Sequence, residues 1–157
     1  MSFTLTGIIA AAQLKKRREF FSSMVNFMNN LSVEIEYSMS DLPSLIIKIS
    51  ETQLCKDLLF LKSCVRLLNE GRDFPVAWEN AVKENTAHIK PDEKDKLLGL
   101  GRSLGTTHLQ GQERLISLFT EYFEGYRIEA KKAEEKYYRI YILTGILFGF
   151  GVFILLI

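Results

Sequence analysis

The sequence predicts an all-α protein, a compact bundle of about six helices with a C-terminal transmembrane helix, the last bundle helix being long enough to continue into the membrane. Three observations predict it. Apolar residues recur at three- and four-residue spacing along most of the chain, and no segment alternates as a strand would. Proline and glycine fall where helices of ordinary length would start and stop. Residues 140–157 (IYILTGILFGFGVFILLI) carry no charge, and a helix of that length spans ~27 Å, close to the ~30 Å hydrocarbon core of a bilayer.

Taken in order, the chain opens with the apolar stretch 3–14 (FTLTGIIAAAQL), closed by Lys15, Lys16, Arg17 and Arg18. Its ~18 Å is too short to cross a bilayer, so residues 1–16 are expected to be a membrane-associated segment that inserts in part. Residues 17–139 form the bundle domain. Phe20, Phe21, Met24, Phe27, Met28, Leu31 and Ile35 make one apolar stripe on its first helix. Ser40 or Asp41 followed by Pro43 starts a second helix, to about Ser50, whose inner face is Leu42, Leu45, Ile46 and Ile49. Leu54, Leu58, Leu61, Val65 and Leu68 define a third, which Gly71 closes as a left-handed cap.

Asp73 and Pro75 open a fourth helix carrying Val76, Ala77, Trp78, Ala81 and Val82. Pro91, Asp92 and Glu93 suit the first turn of a fifth, with Leu97, Leu98, Gly101 and Leu104 on its face and Gly105 as its stop. The last helix has the clearest period: Gln112, Ile116, Phe119, Phe123, Tyr126, Ala130, Ala133 and Tyr137 alternate steps of four and three, a heptad seam. No proline interrupts it before the apolar run, so one helix of roughly fifty residues, ~75 Å long, is expected. Gln112 on that seam must find hydrogen bonds, and fixing helix register is its expected role. In the apolar run, Gly145 and Gly149 have the GxxxG spacing that lets another membrane helix approach. Tyr137, Tyr138 and Tyr141 stand where an interfacial aromatic belt would lie.

Charge places the parts. Basic clusters at Lys15, Lys16, Arg17 and Arg18, and at Arg127, Lys131, Lys132, Lys136 and Arg139, flank the domain, so the positive-inside rule puts it in the cytoplasm. The 157-residue chain has a net charge of +1, too balanced for a phosphate-neutralising surface, and nucleic acid is not an expected partner. Cys55 and Cys64, nine residues apart, face opposite sides of any one helix and are expected to be buried free thiols.

No catalytic pattern has the spacing its chemistry needs. His88 and His108, the two histidines, lie in no HExxH or CxxC context and cannot complete a zinc site, and Gly99 with Gly101 is a bare GxG without a strand before it. The carboxylates Glu34 and Glu36 point away from each other on a helix. An enzyme is not expected, nor is a cofactor or metal.

The order of elements resembles the stage III sporulation protein AB family of endospore-forming bacteria. Leu31, Glu34, Ile35 and Tyr37 look like that family's L-x-x-E-I-x-Y segment, and Leu42 with Pro43 like its P-L turn in altered order. Leu104 and Gly105 match its LG pair, Gln112 its glutamine, Ile116 the next apolar position, Glu129 and Ala130 its EA pair, Lys136 and Tyr137 its KY pair, and Gly145 and Gly149 its membrane glycines. Two features depart from the pattern: His108 replaces the acidic residue at the start of the last helix, passing the cap to Thr106 or Thr107, and the first apolar stretch is shorter than the family's.

The resemblance implies a six-helix bundle similar to the cytoplasmic domain of the platform proteins of type II secretion and type IV pilus machines. It further implies a membrane scaffold in the mother cell–forespore channel complex, in the mother-cell membrane around the forespore. Its partners would be a secretion-type ATPase, other stage III channel subunits and further copies of itself. Glu34, Tyr37, Leu104, Gly105, Gln112, Gly145 and Gly149 are the expected structural or interaction residues. The alternative function is a tail-anchored regulator that binds a partner helix in a groove, although no groove motif of that kind is present.

Overall fold

The computed structural model describes residues 2–38, 40–104 and 109–155, with side chains left aside for 2–9, 109–110, 141–143 and 145–155. Among the described residues the chain forms six α-helices, one 3-10 turn and no strand: α1 (Ser2–Tyr37), α2 (Leu42–Ser50), the turn Gln53–Cys55, α3 (Leu59–Asn69), α4 (Phe74–Asn85), α5 (Pro91–Ser103) and α6 (Leu109–Leu155). The apolar stretch at the start is continuous with the first bundle helix. α1 runs through the Lys15 to Arg18 cluster as one helix of 36 residues.

α1 and α6 are the frame. They run antiparallel, since Phe21 stacks on Phe123 and packs at a tilt against Tyr126 (centroids 6.2 and 5.2 Å), Arg18 reaches Glu134 at 3.1 Å, and Ile35 shares a cleft with Gln112. The heptad seam is the face α6 turns inward: Ile116, Phe119, Phe123 and Ala130 are buried, and Gln112, Tyr126, Ala133 and Tyr137 are half-buried. At 47 residues α6 is ~70 Å long at the α-helical rise.

The shorter helices α2 to α5 complete the core. Asp41 is the residue before α2, Pro43 lies in its first turn, and Leu45, Ile46 and Ile49 are buried. The end of α3 is a Schellman motif: Gly71, at φ +82°, donates its N–H to Leu68 O (2.9 Å), while Arg72 N–H reaches Leu67 O (3.1 Å). α4 follows Asp73 with Pro75 in its first turn.

Trp78 on α4 is the centre of the core. It is fully buried among Phe27, Phe60 and Phe74, with centroids at 6.1, 5.1 and 5.5 Å, and its Nε1–H donates to Leu97 O of α5 at 2.9 Å. That bond satisfies the indole's donor and ties α4 to α5. Gly101, one turn further along α5, lets the indole lie flat on the helix backbone.

Two expectations need correction. The third helix starts at Leu59, because residues 53–55 wind as a 3-10 turn, and its tighter period turns Cys55 inward and leaves Leu54 54% exposed. The inner face of α3 is then Phe60, Leu61, Cys64 and Leu67. Val76 is exposed and Phe74 takes its place, since Val76 lies about 200° round the helix from Trp78 whereas Phe74 is one turn before it. Glu93 stands in the first turn of α5 as expected, and there it is fully buried. As for the expected transmembrane helix, among the described residues no helix is long and apolar enough to cross a membrane. The run 140–157 is helical backbone as far as Leu155, and most of its side chains lie outside the described residues.

Both thiols are buried and free, Cys55 in the 3-10 turn and Cys64 in α3, so they do not share a helix as their spacing suggested. Burial pushes both up, Cys64 to about 12. Neither thiol should react with an aromatic disulfide reagent at pH 8 in the native protein, and both should react once urea unfolds it. Fast native labelling of either would contradict this packing.

Candidate interaction surface

Two groups of polar residues stand out beside the apolar core. The first lies at the bundle end where α1 finishes, α2 begins and the described part of α6 begins. A cleft of about 310 Å³ there is lined by Ile35, Ser38, Ser40, Asp41, Leu42, Leu45 and Gln112. The local sequence explains its rim: Ser38 Oγ and Ser40 Oγ bond at 2.9 Å, and Ser44 Oγ donates to Asp41 Oδ1 at 2.7 Å, so the turn between α1 and α2 is held by its own hydroxyls.

Of the expected interaction residues, Gln112 lines this cleft, and Glu34 is beside it, accepting from Lys48 Nζ of α2 at 2.8 Å. Tyr37, in the last turn of α1, is 79% exposed. Leu104 is buried after α5 and belongs to the core. Gly145 and Gly149 are helical positions of α6 at its opposite end, away from the cleft, so the structure does not gather all the expected residues at one place. Gly105 and His108 lie outside the described residues.

The second group is a charge cluster that sequence reasoning missed. Arg17 of α1 is buried and grips Glu93 of α5 with two nitrogens: Nε lies 3.0 and 3.1 Å from the two carboxylate oxygens, and Nη2 also bonds Oε1. Glu93 Oε2 reaches back to the Lys90 N–H at 2.8 Å, the return half of a capping box, which is why a glutamate stands at the third position of this helix. Glu129 of α6 completes the cluster, 3.6 Å from Arg17 Nη2 and 2.5 Å from Lys90 Nζ.

Burial disfavours the charged guanidinium, but the hydrogen bond and charge of Glu93, with Glu129 and Asp92 behind it, outweigh that and hold Arg17 above its ordinary pKa. The hydrogen bond from Lys90, with Arg17 further off, holds Glu129 below the usual carboxylate range. The cluster locks α1, α5 and α6 together. Nothing local in the sequence marks Arg17 off from its basic neighbours; only the Pro91 to Glu93 helix start hinted that Glu93 had a backbone partner.

His88, just after α4, packs edge-on to Phe20 at 5.1 Å. Burial and then the charge of Lys16 lower its pKa, with Glu93 pulling the other way. Stability gained by keeping this imidazole neutral is present above the unfolded value of about 6.5 and is lost as pH falls through that value towards the folded one. His88→Gln should flatten that part of the stability profile, and an NMR titration should place His88 below 6.5. A native value at or above 6.5 would reverse the sign.

Among the described residues no group of three or more histidines, cysteines and carboxylates could hold a metal ion. Buried side-chain polar atoms there all have a partner. What the surface offers is shape and charge for contact.

The family model described as Stage III sporulation protein AB (spore_III_AB) matches residues 1–157. The chain belongs to the stage III sporulation protein AB family. A solved structure titled "Stage III sporulation protein AB (SpoIIIAB)" is similar to this one at TM-score 0.65 and 21% identity, covering 77% of this chain and 98% of that one. The identity is low enough that this likeness speaks to the fold. A comparison with curated proteins gives no match. Membership of the stage III sporulation protein AB family supports a role in sporulation.

Proposed function

We propose that this sporulation protein is a non-enzymatic scaffold of the mother cell–forespore channel complex, resembling the inner-membrane platform of type II secretion systems. The run 140–157 anchors it in the mother-cell membrane around the forespore, with the bundle, residues 17–139, in the cytoplasm and residues 1–16 associated with the same membrane. One observation carries the reading: α6 packs against α1 through the bundle and continues, as the same helix, into the apolar run. Bundle and anchor therefore move as one lever, which suits a part that transmits position between a cytoplasmic partner and a membrane assembly.

The partners proposed are a secretion-type ATPase, the other stage III channel subunits and further copies of this chain. The cleft beside Gln112, flanked by Glu34 and exposed Tyr37, is the surface proposed to meet the cytoplasmic partner, because it lies at the bundle end farthest from the apolar run. Affinity purification from sporulating cells should recover the ATPase and membrane subunits, and Tyr37→Ala should reduce that recovery without changing thermal stability. Normal development of engulfed forespores after deletion would sink the scaffold reading. Reporter fusions before Arg18 and after Ile157 test topology; an extracytoplasmic bundle would overturn the orientation.

A further inference from the structure

The lower part of α6 carries acids and bases together. Nearer the bundle Arg127 bonds Glu124, and the acids Glu129 and Glu134 are held by Lys90 and Arg18 from outside the helix. Next to the apolar run bases predominate. Among the described residues Lys132, Lys136 and Arg139 enter no ion pair, and with Glu135 and Ile140 they line a cleft of about 270 Å³.

At 100° per residue the three bases share one stripe of the helix, off the seam that packs on α1, with Lys132 also bordering Arg18 and Glu19 of α1. Tyr138 and Ile140 nearby are 68% and 51% exposed. Lys132 to Arg139 occupy ~12 Å of helix axis immediately before residue 140, which spans the ~5–8 Å headgroup layer that flanks each side of the hydrocarbon core. Glu135 reduces the excess charge of the cleft and leaves it positive.

We propose that this cleft binds the phosphate headgroup of an anionic phospholipid, with Lys132, Lys136 and Arg139 around the phosphate oxygens and the acyl chains lying along the apolar run from Ile140. The inference rests on the membrane anchorage proposed above. Arg139 brings a planar fork suited to phosphate, and the two lysines bring mobile point charges on stems long enough to follow the headgroup. Continuity with the apolar run selects a lipid over a soluble anion, because a phosphate held there has its hydrocarbon beside a helix that is itself apolar. The site pins the depth and rotation of α6, and so the angle at which the bundle stands on the membrane.

The test uses the full chain. Purified in neutral detergent, it is loaded with an equimolar mixture of phosphatidylglycerol and phosphatidylcholine, exchanged exhaustively, and its retained lipid measured by native mass spectrometry. Phosphatidylglycerol should be retained at least tenfold over phosphatidylcholine. K132Q/K136Q/R139Q should remove most of that preference, since a base at an anionic surface is worth roughly fivefold in binding. K56Q/K62Q/R72Q, three exposed bases of the bundle, should leave it intact. Molar salt, with a Debye length of ~3 Å, should weaken the wild-type preference as the substitutions do.

Equal retention of the two lipids, or a preference untouched by the triple substitution, overturns the proposal. So does displacement of phosphatidylglycerol by millimolar inorganic phosphate, which would mark a soluble-anion site. Anchorage is read separately, by flotation with vesicles of phosphatidylcholine alone: a chain that floats but shows no lipid preference refutes this site only, whereas one that does not float refutes the anchor.

Discussion

Glu93→Ala should cost about 3–5 kcal/mol, the usual effect of leaving one member of a buried ion pair without its partner. The residue left behind would be Arg17, buried in α1 with only the exposed Glu129 at 3.6 Å to answer its charge. The same substitution removes the acceptor of the Lys90 amide, so the start of α5 loses a cap at the moment its neighbour loses a counter-ion. Arg17→Ala should be nearly as damaging. Replacing both, as R17M/E93L, should recover most of the loss, because well-packed apolar side chains can match a buried pair in stability. Urea denaturation of the three variants, followed by circular dichroism, gives the comparison. If the double variant is as unstable as the sum of the single ones, the two residues are not a coupled pair.

Gly101→Ala should destabilise by about 3 kcal/mol, at the upper end of ordinary overpacking. In an exposed helix the same exchange gains ~1 kcal/mol, so the sign itself is diagnostic. A methyl group built at Gly101 would stand 2.6 Å from Nε1 of Trp78 and closer still to its ring carbons, with no flexible side-chain end to give way. To make room the indole must leave its pocket and stretch its bond to Leu97 O. Trp78→Phe, with its smaller ring, should absorb part of the cost, giving a coupling above ~1 kcal/mol in a double-mutant cycle. Independent, additive losses would show that the glycine is not there for the tryptophan.

What could be read from the sequence was whatever depends on local period and local stops. The α6 seam from Gln112 to Tyr137 faces inward where the heptad placed it, mostly buried in its middle and half-buried at its ends, and Gly71 has the positive φ its position after Leu68 required. Errors arose where the period changed within a few residues: the 3-10 turn at 53–55 shifts the phase, so Leu54 points out and Cys55 in.

The charge cluster could not be read, for a different reason. Arg17 sits in a run of four bases that local rules treat as equivalent, and its partner is 76 residues away. Only the approach of Glu93 across the fold distinguishes it. One of the four bases counted for orientation at the start of the chain is thus held inside the bundle, leaving Lys15, Lys16 and Arg18 towards the outside.

The antiparallel pairing of α1 with α6 also sets an order of assembly during synthesis. Phe21 finds Phe123 only after about 100 further residues have been made, a delay of roughly 5–20 s at ribosomal speed. For that interval Phe21, Met24 and Phe27 have only α2 to α5 to lean on, and those helices are joined mostly to their neighbours in sequence. A partly made chain is thus a sticky half-bundle until its last helix arrives. Because that helix continues directly into the apolar run, completion of the core and synthesis of the run fall within the same few seconds.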